Sequence, residues 1–204
     1  FLSHPWLQEE NERGNFGIYD QIAAIQFIHE HIGAFGGDAN NITIMGQSAG
    51  SRSVQIICST DKTKGLFSKA IMQSAAGTNS ICQEITQEKQ ANIMKDVIAG
   101  LGYKDLAQLR AAPYKVLIHD IHQYMANHQI NPLELLGPNI DGELLVEECD
   151  KILSKAAFHD IPYMIGCTKD ELFSKETAHA ILESTKGFAK LQSQLHDAPV
   201  YVYS

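Results

Sequence analysis

The chain has 204 residues, 44% of them hydrophobic, and 24 acidic against 16 basic residues give a formal net charge of -8. That length and apolar content can bury a sizeable core in one domain. The acidic balance, with no basic run, excludes a nucleic-acid partner held through its phosphates, and no apolar stretch reaches the length of a membrane span.

The first predicted element is an amphipathic helix from Ile18 to Ile32, with Ile18, Ile22, Ile25, Ile28 and Ile32 at helical spacing and Gly33, Gly36 and Gly37 closing it. Asn40 and Asn41 lead into Ile42-Thr43-Ile44-Met45, which reads as a buried parallel strand ending at Gly46. A crossover helix from Ala49 to about Cys58 then leads to a second strand at Ala70-Ile71-Met72-Gln73. Glu88 to Leu101 reads as a helix stopped by Gly102, and Pro113 starts another through Val116, Leu117, Ile121 and Tyr124; their exposed polar positions suit a cap-like helical segment over about 84–128. Asp141-Gly142 signals a tight turn, Pro162 to Gly166 a strand, and Pro199 to Tyr203 a last strand. Strands alternating with helices argue for a three-layer α/β fold with a mainly parallel sheet, spanning residues 1–204 without an interdomain linker.

Phe1-Leu2-Ser3-His4-Pro5 has neither the basic nor the apolar region of a signal peptide. Cys58, Cys82, Cys149 and Cys167 form no C-x-x-C pair and read as mostly buried thiols, which favours a reducing, cytoplasmic setting and leaves a secreted one open. His119 and His122, three apart on a helix, with His128 nearby, read as a surface cluster, because no carboxylate or cysteine completes a metal-ligand spacing.

Gly46-Gln47-Ser48-Ala49-Gly50 matches G-x-S-x-G between a strand and a helix, the setting a nucleophile elbow requires. Flanking glycines are expected to relieve the strained turn, Ser48 to project above the strand end, and the Ala49 N–H to face a developing oxyanion.

Gly14 to Gln21, Ala34 to Ile44, the elbow, Gly65 to Ser74, Pro138 to Glu143 and Ile161 to Glu171 follow one another in the order of blocks in the type-B carboxylesterase (cholinesterase-like) family, which the chain resembles from Phe1 to Glu171. The resemblance implies an α/β-hydrolase fold, incomplete at both ends, and a serine esterase acting on small-molecule esters without metal or organic cofactor. It implies Ser48 as nucleophile, Glu171 of Lys169-Asp170-Glu171 as the acid that orients the base, with Asp170 the nearest competitor, and Ser74 as a residue holding that acid. Gln47 stands where many relatives carry glutamate, leaving less negative potential beside Ser48.

The fold's Ser, acid, His order places the base after Glu171, where only His179 and His196 are present and neither falls in a matching motif. The family base is expected beyond Ser204 and the glycine-rich oxyanion loop before Phe1, so residues 1–204 alone are expected to be nearly inactive. Adhesion proteins of the same fold offer the rival reading, a non-catalytic binding module, and an inactive truncated product is a third. Oligomeric state is not legible.

Overall fold

The computed structural model describes residues 1–80, 84–171 and 174–204. In chain order the elements are α1 (Pro5–Glu9), α2 (Phe16–His31), β1 (Thr43–Gln47), α3 (Ala49–Ile57), β2 (Lys69–Gln73), β3 (Ile85–Thr86), α4 (Gln87–Gly100), α5 (Leu106–Ala111), α6 (Tyr114–Asn127), α7 (Pro132–Leu135), β4 (Asn139–Ile140), α8 (Cys149–Ser154), β5 (Tyr163–Gly166), α9 (Lys175–Leu195) and β6 (Val200–Tyr203). They fall into two compact units, Phe1–Phe16 with Glu84–Val146 and Gly17–Gln83 with Glu147–Ser204.

The second unit carries a four-stranded parallel sheet in the order β1-β2-β5-β6. Parallel neighbours need crossover connections, and in two of the three pairs one helix supplies it: α3 links β1 to β2 and packs on both, while α9 links β5 to β6 and packs on both. The core is apolar and aromatic. Phe188 of α9 is fully buried and stands edge-on to Phe158 and Tyr163, with ring centroids 5.7 and 5.3 Å away. Offset and T-shaped ring pairs add to the free energy of burial alone.

At 21 residues α9 is the longest element. Ser174 starts it by accepting the Thr177 N–H at 3.1 Å, and Ile181, Phe188 and Gln192 lie on its buried face. The buried face of α3 is more polar: Ser51 accepts the Ala76 N–H, and the Gln55 amide bonds both the N–H and C=O of Gly77. These contacts tie the segment after β2 to the helix that follows β1.

The strand expected to be buried at Ile42–Met45 is found at the sheet edge. Among the described residues β1 has one neighbour, and Met45 is 64% exposed. The helix expected from Ile18 ends at His31, and its apolar stripe is only half used: Ile18 and Ile22 are buried, Phe27 and Ile28 exposed. A periodicity reports which residues share a face, not whether that face is covered.

In the first unit α4 and α6 pack through Met94, Val97, Ile98, Ile121 and Met125, joined by Leu109 and Leu135. Thr86 caps α4 by accepting the Lys89 N–H, and Gly102, at φ +86°, ends it as expected. Pro113 stands as the N-cap of α6. A buried polar cluster closes this unit: the Asn15 side chain donates to Asn139 O and Asp141 Oδ2, while Asp141 Oδ1 accepts the N–H groups of Glu143, Leu144 and Leu145 at 2.8–3.0 Å.

Candidate functional site

Ser48 follows the last residue of β1 and precedes the first of α3. Its backbone is strained, at φ 53° and ψ −120°, a region that costs a non-glycine residue on the order of 1–3 kcal/mol. Ser48 is exposed, and its N–H donates to Gln73 O of the neighbouring strand at 2.9 Å.

The flanking glycines do not carry this strain, contrary to expectation; the serine does, and neither Gly46 nor Gly50 has a positive φ. Gly46 serves close approach, because a Cβ there would overlap the Gly50 carbonyl group and come within 2.9 Å of Ser51 N. Only a bare α-carbon lets α3 turn back so tightly over β1. Ala49, the first residue of that helix, is exposed. The first N–H groups of a helix have no intrahelical acceptor and lie at the positive end of its dipole.

One strand over, Ser74 follows β2 with φ 58°. Its N–H donates to Gly166 O at 2.8 Å and its hydroxyl to Glu171 Oε1 at 2.7 Å. The same carboxylate oxygen accepts the Thr168 N–H at 2.8 Å and the Thr168 hydroxyl at 3.2 Å. Three donors on one oxygen fix the carboxylate in place. Thr168 is missing from the sequence reading, although Thr168-Lys169-Asp170-Glu171 carries the T-x-x-E spacing in which a glutamate reaches back to a threonine N–H. Asp170 is exposed.

Ser48, Ser74 and Glu171 therefore all lie at the carboxyl ends of adjacent strands, the rim where open α/β sheets bind ligands. The two histidines after Glu171 are placed elsewhere. His196 precedes β6 and so lies at the opposite, amino-terminal rim, with Nδ1 4.0 Å from Asp160. His179 is exposed on α9. Neither hydrogen-bonds Ser48 among the described residues.

His119, His122 and His128 are exposed on or just after α6, where His128 stacks on Tyr124 at 3.9 Å. Among the described residues no group of three or more His, Cys, Asp or Glu side chains could hold a metal ion, and no helix is long and apolar enough to cross a membrane. Cys58, Cys149 and Cys167 are buried, and burial pushes the Cys58 thiol up to about 12; Cys82 lies outside the described residues.

The chain is similar to known esterases in sequence and in structure. The Bacillus subtilis para-nitrobenzyl esterase is 33% identical over 186 residues, covering 85% of this chain and 37% of that protein. The Tribolium castaneum juvenile hormone esterase is 33% identical over 180 residues, covering 80% and 30%. Among solved structures, a thermophilic PNB esterase superposes with a TM-score of 0.80 at 27% identity over 99% of this chain and 50% of its own. A Geobacillus stearothermophilus carboxylesterase gives 0.72 at 26% identity, over 93% and 48%. The chain thus spans 30–37% of those two curated relatives and about half of the solved ones. These likenesses identify the parallel sheet and its helices as part of an α/β-hydrolase fold. The Carboxylesterase family model matches residues 1–200, and the chain belongs to that family.

Proposed function

We propose that this chain carries the nucleophile and the acid of a serine carboxylesterase acting on small-molecule carboxylic esters. The observation that carries the reading is the pair of strained serines on neighbouring strand ends: Ser48 at the start of α3, and Ser74 holding the Glu171 carboxylate at 2.7 Å. Strain at an exposed serine persists only where the surroundings over-determine it. Here the Gly46–Gly50 approach and the Ser48 N–H to Gln73 O bond do so.

In this mechanism Ser48 Oγ attacks the ester carbonyl carbon while its proton passes to an imidazole supplied from outside residues 1–204, since His196 lies at the wrong rim and His179 on the face of α9. The carbonyl oxygen gains the negative charge, and the Ala49 N–H at the helix start donates to it. Collapse expels the alcohol, which takes the proton from the imidazolium, and leaves an acyl-serine. Water repeats the sequence and releases the acid. Glu171 fixes the tautomer of the imidazole and stabilises its protonated form.

The test is phosphonylation of the native-length protein by a fluorophosphonate, followed by intact mass and peptide mapping. An adduct on the peptide carrying Ser48, lost in Ser48→Ala, supports the reading. A native-length protein that acquires no adduct sinks it in favour of a non-catalytic binding role.

A further inference from the structure

After β2 the chain runs from Ser74 to Thr78 without helix or strand. Buried backbone that belongs to no ladder must find other partners for its N–H and C=O groups. Beyond Ser74 two helices supply them. The Ala76 N–H donates to Ser51 Oγ of α3 and the Thr78 N–H to Ser184 O of α9, each at 3.1 Å. Gly77 is served by one side chain: its N–H donates to Gln55 Oε1 and its carbonyl accepts from Gln55 Nε2, both at 3.0 Å. A Cβ on Gly77 would overlap Ser184, so the segment lies pressed between α3 and α9.

Gln55 is fully buried, and its amide is held one way round. The Arg52 guanidinium, which can only donate, gives an N–H to Gln55 Oε1 at 2.7 Å, so the oxygen faces Arg52 and the Gly77 N–H while the nitrogen faces the Gly77 carbonyl. Residues three and four apart share a helix face, and Ser51 and Gln55 follow Ser48 at that spacing. One helix therefore carries Ser48 at its start and, one and two turns later, the groups that fix the chain after Ser74. Ser74 in turn holds the Glu171 carboxylate from a backbone at φ 58°, a conformation that a serine keeps only where its surroundings impose it.

We propose that Gln55 is a positioning residue for the acylation centre: by gripping both polar groups of Gly77 it locks the strained turn at Ser74, and with it Glu171, to the helix that begins at Ser48. The inference rests on the serine-esterase reading above. Without the amide, the Ser74 turn relaxes toward an ordinary conformation while the strands beneath it stay paired. The Ser74 hydroxyl then loses its reach to Glu171 Oε1, and the acid orients the imidazole less well. Turnover suffers and substrate binding does not.

The experiment is hydrolysis of p-nitrophenyl acetate by the native-length protein and its Gln55→Met, Ser74→Ala and doubly substituted forms, at a temperature where circular dichroism shows each fully folded, with urea midpoints taken alongside. Gln55→Met keeps the volume and removes the amide. Loss of a hydrogen bond to a charged group corresponds to about tenfold in rate or more. The expected result for Gln55→Met is a kcat about tenfold lower with KM unchanged. Added to Ser74→Ala it should cost no further activity, although it lowers the midpoint in both backgrounds. Thr63→Val, which removes a buried hydroxyl that donates to Ile57 O beyond the far end of α3, should lower the midpoint and leave kcat alone. An unchanged kcat for Gln55→Met, a change confined to KM, additive losses in the double variant, or an equal loss of kcat in Thr63→Val overturns the proposal. If Gln55→Met does not fold, Ser51→Ala, which releases only the Ala76 N–H, takes its place in the same cycle under the same criteria. Fluorophosphonate labelling of Ser48 in the unsubstituted protein separates the two failures. Labelling with an indifferent Gln55→Met rejects the positioning role alone, and no labelling rejects the esterase reading and that role with it.

Discussion

Adding one methyl group to Gly46 should disable the centre more than it disables the fold. The Cβ of Gly46→Ala would fall on the Gly50 carbonyl and stand 2.9 Å from Ser51 N, all backbone atoms of α3 that cannot rotate away. Restoring ordinary contact moves the first turn of α3 off β1 by about 1 Å, and overpacking of this kind costs about 1–3 kcal/mol. The displaced turn contains Ala49 and Ser51, and Ser51 anchors Ala76 in the segment after Ser74. A misplacement of about 1 Å in a catalytic constellation costs on the order of a hundredfold in rate. The assay is p-nitrophenyl ester hydrolysis by the native-length protein beside its urea midpoint, with Gly33→Ala as the control, since a Cβ at Gly33 meets nothing within 4 Å. If Gly46→Ala keeps both the rate and the midpoint of the unsubstituted protein, the close approach does not position Ser48.

Ser48→Gly should be more stable than Ser48→Ala by about 1 kcal/mol, because only glycine relieves φ 53° and ψ −120°; urea midpoints of the two inactive variants check it. Phe188→Ala should cost about 3–5 kcal/mol by opening a cavity between Phe158 and Tyr163, read as the loss of midpoint in the same titration. Cys58 has a folded value near 12 against an ordinary 9.0, so its contribution to stability is complete below pH 9 and declines as pH rises from 9 toward 12, where the unfolded chain alone releases the proton. Replacing it with alanine should flatten that alkaline decline. Iodoacetamide at mildly alkaline pH should modify Cys58 only after urea is added.

Much of the fold was legible because local signals and tertiary structure agree. The strand-elbow-helix unit, the strands at Pro162 and Pro199 and the helices stopped by Gly102 or begun near Pro113 all have breakers at their ends. The long helix α9 went undelimited because its buried face is marked by widely spaced apolar residues, Ile181 and Phe188, among polar ones such as Ser184, Thr185 and Gln192. The edge position of β1 was illegible for another reason: a run of apolar residues does not say which neighbours are present. At the site, Ser48, Ser74 and Glu171 stand out by motif order, whereas Thr168 holds the Glu171 carboxylate through a backbone N–H, a group every residue but proline carries. Its only sign in the chain is the T-x-x-E spacing of Thr168 to Glu171, which is common enough to pass unremarked beside the motif glutamate.

The open flank of β1 has a practical meaning for handling the polypeptide. Among the described residues β1 has one strand neighbour, and a strand edge of this kind beside solvent-facing Met45 is a template for strand addition by any compatible chain. Residues 1–204 prepared alone should therefore self-associate as concentration rises. A lysine at Met45, placing charge on that edge, should postpone precipitation without touching the sheet's buried interior.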